Sequence, residues 1–81
     1  IETELARQVV RFVQALRRER LHKIPGIAET LDWARALVAL GVRRIDEATV
    51  ARTAGCLLKS AEDLERLRNH ALEELLAHIE A

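Results

Sequence analysis

Three histidines, one cysteine and a scatter of arginines are the side chains able to carry chemistry in this chain of 81 residues. His70, Glu74 and His78 follow at four-residue steps, which brings neighbouring pairs to one side of a helix. A structural zinc site needs four closely placed ligands, more than one helix supplies, so these residues read as a solvated face and no metal is expected. His22 stands apart, in a loop. Cys56 has no histidine near it in sequence and reads as a small buried apolar residue. The three glycines, at 26, 41 and 55, cannot compose the GxxxxGK[ST] loop that cradles phosphates. No serine, histidine and acid fall into a nucleophile motif, and catalysis is expected of none of these residues.

The arginines suggest surfaces rather than reactions. Arg7, Arg11 and Arg18 are spaced to form a basic ridge along the first helix. Most such ridges keep a helix soluble; the functional alternative is a ridge facing phosphates or an acidic neighbour. Arg43 and Arg44 precede Asp46 and Glu47 in an arrangement resembling a helix-turn-helix. The two acids sit where that motif would enter the major groove, and phosphates would repel them. With 13 basic and 13 acidic residues the net charge is zero, so no nucleic-acid partner is expected. The charge is unevenly spread: residues 1–20 hold more arginine than acid, whereas residues 61–81 hold an acidic excess.

Four helices are predicted to position these groups, over about 2–20, 27–40, 47–59 and 61–80, in one all-α domain. Leu5, Val9, Phe12, Val13 and Leu16 make the apolar stripe of the first. Pro25 breaks the chain, and Gly26 caps the second helix with Glu29 reaching back to its amide. Ile27, Leu31, Ala34, Leu37 and Val38 form the second stripe, widened by Trp33, Ala36 and Leu40. A helix apolar around so much of its circumference is expected at the centre of a bundle. Gly41 ends it in the left-handed conformation. Asp46 caps the third helix, which turns Val50, Ala54, Leu57 and Leu58 inward. Ser60 and Asp63 form the reciprocal cap of the fourth, which carries Leu64, Leu67, Ala71, Leu75 and Ile79 with Leu72 and Leu76 as an extra row.

Composition sets the context. Nearly half the residues are apolar but only Phe12 and Trp33 are aromatic, so the core is aliphatic and thin, and a partner domain is expected against one side. The chain opens at Ile1 and holds no methionine, which reads as a piece of something longer. No apolar run reaches a membrane span of roughly twenty residues, and a single cysteine forms no internal disulfide. A cytoplasmic location is expected.

One stretch is more particular than periodicity requires. "LHKIPGIAETLDWARALVALGV", followed by "IDEATVARTAGCLLKSAEDLERL", resembles the C-terminal helical lid of MoxR-type AAA+ ATPases, in the subgroup associated with carbon monoxide dehydrogenase maturation. The residues that carry it are Lys23, Pro25, Gly26, Ala28, Glu29, Thr30, Asp32, Trp33 and Ala34, then Thr53, Gly55, Leu57, Lys59, Glu62 and Asp63. The resemblance implies a compact four-helix bundle of the AAA+ lid type, closing over nucleotide in an ATP-driven chaperone or maturation ring.

It implies as partners an upstream nucleotide-binding domain, neighbouring subunits of a homo-oligomeric ring and a client protein. ATP and magnesium would belong to the parent, an ATP hydrolase, and no cofactor is bound by this piece alone. Pro25 and Gly26 would set the helix start that faces the nucleotide, with Trp33 anchoring that helix in the lid core. Many AAA+ lids carry a sensor arginine in an S-P-R pattern at this start, where the present chain reads "IPGIAE"; Lys23 and Arg35 are the cations that could substitute. The competing reading is a free-standing helical adaptor that binds a partner through its first or last helix.

Overall fold

In the computed structural model the described residues are 3–80, with all side chains in that span except those of 70, 71 and 80. They form α1 (Thr3–Leu16), α2 (Ile27–Ala39), α3 (Glu47–Thr53), a 3₁₀ turn (Ala54–Cys56), α4 (Ala61–Arg66), a π-turn (Leu67–Ala71) and α5 (Leu72–Glu80). No strand occurs among the described residues. The all-α class is as the sequence predicts, but there are five α-helices rather than four, and several ends lie elsewhere.

α1 stops at Leu16, short of the expected 20. Beyond it, Arg18 and Glu19 donate to the carbonyls of Ala15 and Leu16, three residues back, which tightens the coil out of the α form. The following run of arginines has nothing apolar to bury until Leu21, which packs against the core from the connecting segment.

The third helix also ends early, at Thr53 rather than 59. The Thr53 hydroxyl donates to the Thr49 carbonyl at 2.7 Å, a back-bond of the kind that bends helices. Leu57 and Leu58 then both donate to the Ala54 carbonyl, and this tight turn buries two adjacent leucines that a straight helix would send to different sides.

The segment predicted as one last helix is α4 and α5 joined by a wide turn, in which Leu72 N–H bonds the Leu67 carbonyl five residues back. Leu67 and Leu72 would lie about 140° apart on an ideal α-helix. The π-turn brings both into the core, at 1 % and 7 % exposure.

The helix starts and stops follow local chemistry. Gly26 N–H donates to Glu29 Oε1 at 2.8 Å, and the Gly26 carbonyl accepts from the Thr30 N–H and hydroxyl. Asp46 Oδ1 accepts from Thr49 N–H at 2.8 Å. α2 closes in a Schellman motif: Val42 N–H bonds the Leu37 carbonyl, and Gly41 N–H bonds that of Val38. Gly41 has φ +72°, and a β-carbon there would meet nothing within 4 Å, so a substitution costs backbone strain alone. Gly41→Ala is expected to destabilise by about 1 kcal/mol, read as a shifted urea midpoint with unchanged m-value.

The carboxylates at these starts tie stability to pH. Backbone N–H donation, from Gly26 first, holds the Glu29 carboxyl below its ordinary range; the Thr49 N–H does the same for Asp46, and Arg7 for Glu4. A carboxyl whose pKa is lower in the folded than the unfolded chain stabilises fully above the ordinary range and loses that contribution as pH falls from there through the lowered folded-state value. Urea resistance is therefore expected to drop as pH passes below about 4. Glu29→Gln should make that drop shallower.

The core is a single aliphatic cluster around one aromatic pair. The Phe12 and Trp33 ring centroids lie 5.2 Å apart at 44°. Leu5, Val9, Val13 and Leu16 of α1, which packs against α5 and α2, share this cluster with Leu37, Val50, Ala54, Leu57, Leu58, Leu67, Leu75 and Ile79.

Candidate functional site

α2 is not central. Of its apolar residues Trp33 and Leu37 are buried. Ile27 is 76 % exposed, and Leu31, Val38 and Leu40 are each 51 % exposed, against the expectation that the first three would face inward. The reason is geometric: among the described residues α2 packs against α1, α3 and the 3₁₀ turn, and an all-round apolar helix then leaves one flank of its circumference outside.

That flank is continuous with α1. A shallow depression of about 410 Å³ is lined by Leu31, Ala34, Arg35, Val38 and Ala39. A neighbouring one of about 250 Å³ is lined by Val10, Val13, Gln14, Arg17, Ile27, Thr30 and Leu31. They share Leu31, so Val10, Ile27, Leu31 and Val38 form one aliphatic strip across both helices. Single exposed leucines need no explanation, whereas a contiguous apolar strip is a candidate interaction surface. Completing the burial of each such side chain is worth roughly 1 kcal/mol.

The turn that leads into α2 is held from a distance. Asp63, 1 % exposed, accepts from His22 N–H through Oδ1 at 2.8 Å and from Lys23 N–H through Oδ2 at 3.0 Å. Its neighbour Glu62 adds an exposed contact, His22 Nε2 to Glu62 Oε2 at 2.6 Å. The sequence assigned Asp63 to the local cap of the last helix. Ser60 does take that part, weakly, accepting from Asp63 N–H at 3.4 Å, but the Asp63 carboxylate serves the segment some forty residues earlier.

Trp33 is fixed equally firmly. Its Nε1–H donates to Thr53 Oγ1 at 2.7 Å, joining α2 to the end of α3. Gln8 makes a third such tie, with Oε1 accepting from the buried Ile45 N–H at 2.7 Å. Among the described residues no buried side-chain nitrogen or oxygen lacks a partner.

The nucleotide-proximal candidates therefore divide. Lys23, Pro25 and Gly26 sit together in the clamped turn: Lys23 is exposed, Pro25 is buried and Gly26 caps α2. Arg35 is not with them. It lies eight positions past Ile27, about 12 Å along the helix axis, on the rim of the aliphatic depression. Asp63 and Gln8 were missed as ties. For Asp63 the signal was an acid already explained by a local motif; for Gln8 it was a polar residue beside an apolar stripe.

The basic ridge expected along the first helix is likewise divided, and Arg18 falls beyond the end of α1. Arg7 bonds Glu4, whereas Arg11 and Arg18 line a separate depression with Gln14, Ala15 and His78. No group of three or more His, Cys, Asp or Glu that could hold a metal occurs among the described residues, and His70 lies outside the described side chains. Cys56 is a half-buried free thiol packed against the core. No described helix is long and apolar enough to cross a membrane. No family model, curated protein or solved structure matches the chain.

Proposed function

We propose that the chain is a lid-type helical module of a MoxR-like AAA+ ATPase, acting by docking and moving rather than by catalysis. α2 presents its aliphatic flank to the nucleotide-binding domain of the same parent. The Pro25–Gly26 turn brings the start of α2 toward the nucleotide, with Lys23 the nearest cation. Arg35, two turns along, serves the docking rim instead of the phosphates. A lid contributes to hydrolysis by excluding water and fixing geometry as it closes, so its worth lies in how rigidly it transmits position.

The observation that carries this reading is the exposed strip of Val10, Ile27, Leu31 and Val38 on α1 and α2. It is supported by the clamp that holds the α2 turn, because a docking helix with a loose start would transmit no position. The resemblance of residues 23–34 and 53–63 supplies the identity of the partner.

Leu31→Asp in the parent protein tests the reading. Leu31 is half exposed, so the variant is expected to fold with an unchanged far-ultraviolet spectrum. ATP turnover is expected to fall tenfold or more as the lid loses its seat. A parent that neither binds nor hydrolyses ATP would end the proposal and leave the free-standing adaptor in its place. Lys23→Ala, with Arg35→Ala beside it, separates the two cations. The first is expected to lower turnover at saturating ATP, and the second to weaken docking alone.

A further inference from the structure

The docking strip also carries information about what covers it. Ile27, Leu31, Ala34 and Val38 follow at steps of four, three and four, the spacing of a helix seam that packs along a second helix. Among the described residues lining the two depressions, the only charged ones are Arg17 and Arg35. An aliphatic floor with cations alone at its rim is complementary to one kind of partner. We propose that this face receives an amphipathic helix whose aliphatic residues recur at three- and four-residue steps and whose flanks carry Glu or Asp. The inference rests on the docking reading above, which names only where the partner comes from.

Charge also decides against a second copy of this chain. Pairing the strip with itself would bring Arg17 and Arg35 of one copy toward the same arginines of the other, and like charges oppose association. The acidic helix α5 offers no alternative. Its Leu72, Leu75 and Ile79 are 7 %, 2 % and 2 % exposed, so its acids flank no free aliphatic ridge. A helix laid in the groove would bury the strip and place its acids within reach of both guanidiniums, the helix-in-groove mode of recognition.

Three fluorescein-labelled peptides of about twenty residues test this against the chain itself by anisotropy. The first has Leu and Ile along the seam with Glu on the flanks; the second replaces every Glu with Lys; the third keeps Glu and replaces the seam with Ser and Asn. The first is expected to bind at least tenfold tighter than either of the others, with its advantage over the second shrinking as salt rises. Leu31→Asp is expected to abolish that binding, and Arg17→Glu with Arg35→Glu to reverse the preference between Glu and Lys flanks. No binding of the first peptide, or equal binding of the first and second, overturns the proposal. Binding of the third as tight as the first does so as well, because it reduces the contact to charge alone. If the peptides fail while Leu31→Asp still lowers ATP turnover in the parent, the partner's chemistry is wrong and the lid reading stands. If the first peptide binds as expected and the parent has no ATPase activity, the reverse holds.

Discussion

Trp33→Ala is expected to destabilise the chain by about 4 kcal/mol, most of what a domain of this size has in reserve. Trp33 is fully buried, packs its ring at a tilt against Phe12 with centroids 5.2 Å apart and donates its indole N–H to Thr53. Alanine would leave a cavity between α1, α2 and α3 that an aliphatic core of short side chains cannot close. At roughly 4–8 °C per kcal/mol, the melting temperature should fall by about 15–30 °C. Trp33→Phe separates the ring from its polar end. It keeps an aromatic body beside Phe12 but drops the donor, and the Thr53 hydroxyl still has the Thr49 carbonyl to bond. A loss of about 1–2 kcal/mol is expected for that variant. Melting temperatures of the two variants within a few degrees of each other would show that the ring volume is not what Trp33 supplies.

Asp63→Ala is expected to cost about 3 kcal/mol, a large effect for a residue on an exposed-looking charged run. Its carboxylate is the acceptor for two backbone N–H groups, at 2.8 and 3.0 Å, in a nearly water-free position. Bonds to a charged acceptor are worth about 1.5–3 kcal/mol each, and removing it leaves both donors without a protein partner. Asp63→Asn retains one good acceptor and should lose about half as much. Amide exchange at His22 and Lys23 should accelerate in both variants. Ser60→Ala is the control: its bond to Asp63 N–H is long, at 3.4 Å, so the loss should stay below about 1 kcal/mol. Equal losses from Ser60→Ala and Asp63→Ala would mean that Asp63 acts only as a local cap.

How much of this was legible depends on the range over which each residue acts. Gly26 with Glu29, Gly41, Asp46 and Ser60 mark helix boundaries through atoms a few residues apart, and their sequence signals were sufficient. Trp33 was readable as a core anchor through the resemblance; periodicity sets it outside the buried stripe of α2, yet it is fully buried. The π-turn left an ambiguous trace: Leu64, Leu67, Ala71, Leu75 and Ile79 step by three and four as one α-helix would, and Leu72 stands outside that stripe. The step of five from Leu67 to Leu72 does not fit one face of an α-helix, and the wide turn is the way the backbone buries both.

The Asp63 clamp left no such trace. Its partners are amides some forty residues away, and any residue type presents an amide. α2 was misplaced for a different reason. Periodicity measures how much of a helix is apolar, but not how many neighbours exist to cover it. Here the other helices cover one flank and leave Ile27, Leu31 and Val38 outside. An apolar helix that its own chain does not fully bury is where sequence reasoning about folding gives way to reasoning about partners. The same residues became the candidate site.

The docking of that flank can be measured directly through a thiol placed on it. Leu31→Cys in a Cys56→Ala background puts one reactive group in the middle of the strip, shared by both depressions. In the isolated chain it should react with a maleimide about as fast as a half-exposed cysteine does. In the parent protein with ATP bound, the same thiol is expected to react at least tenfold more slowly, because the α1–α2 face is then seated. Equal rates in the two settings would contradict the account, since a face that stays open in the assembled, nucleotide-bound parent is not where this module docks.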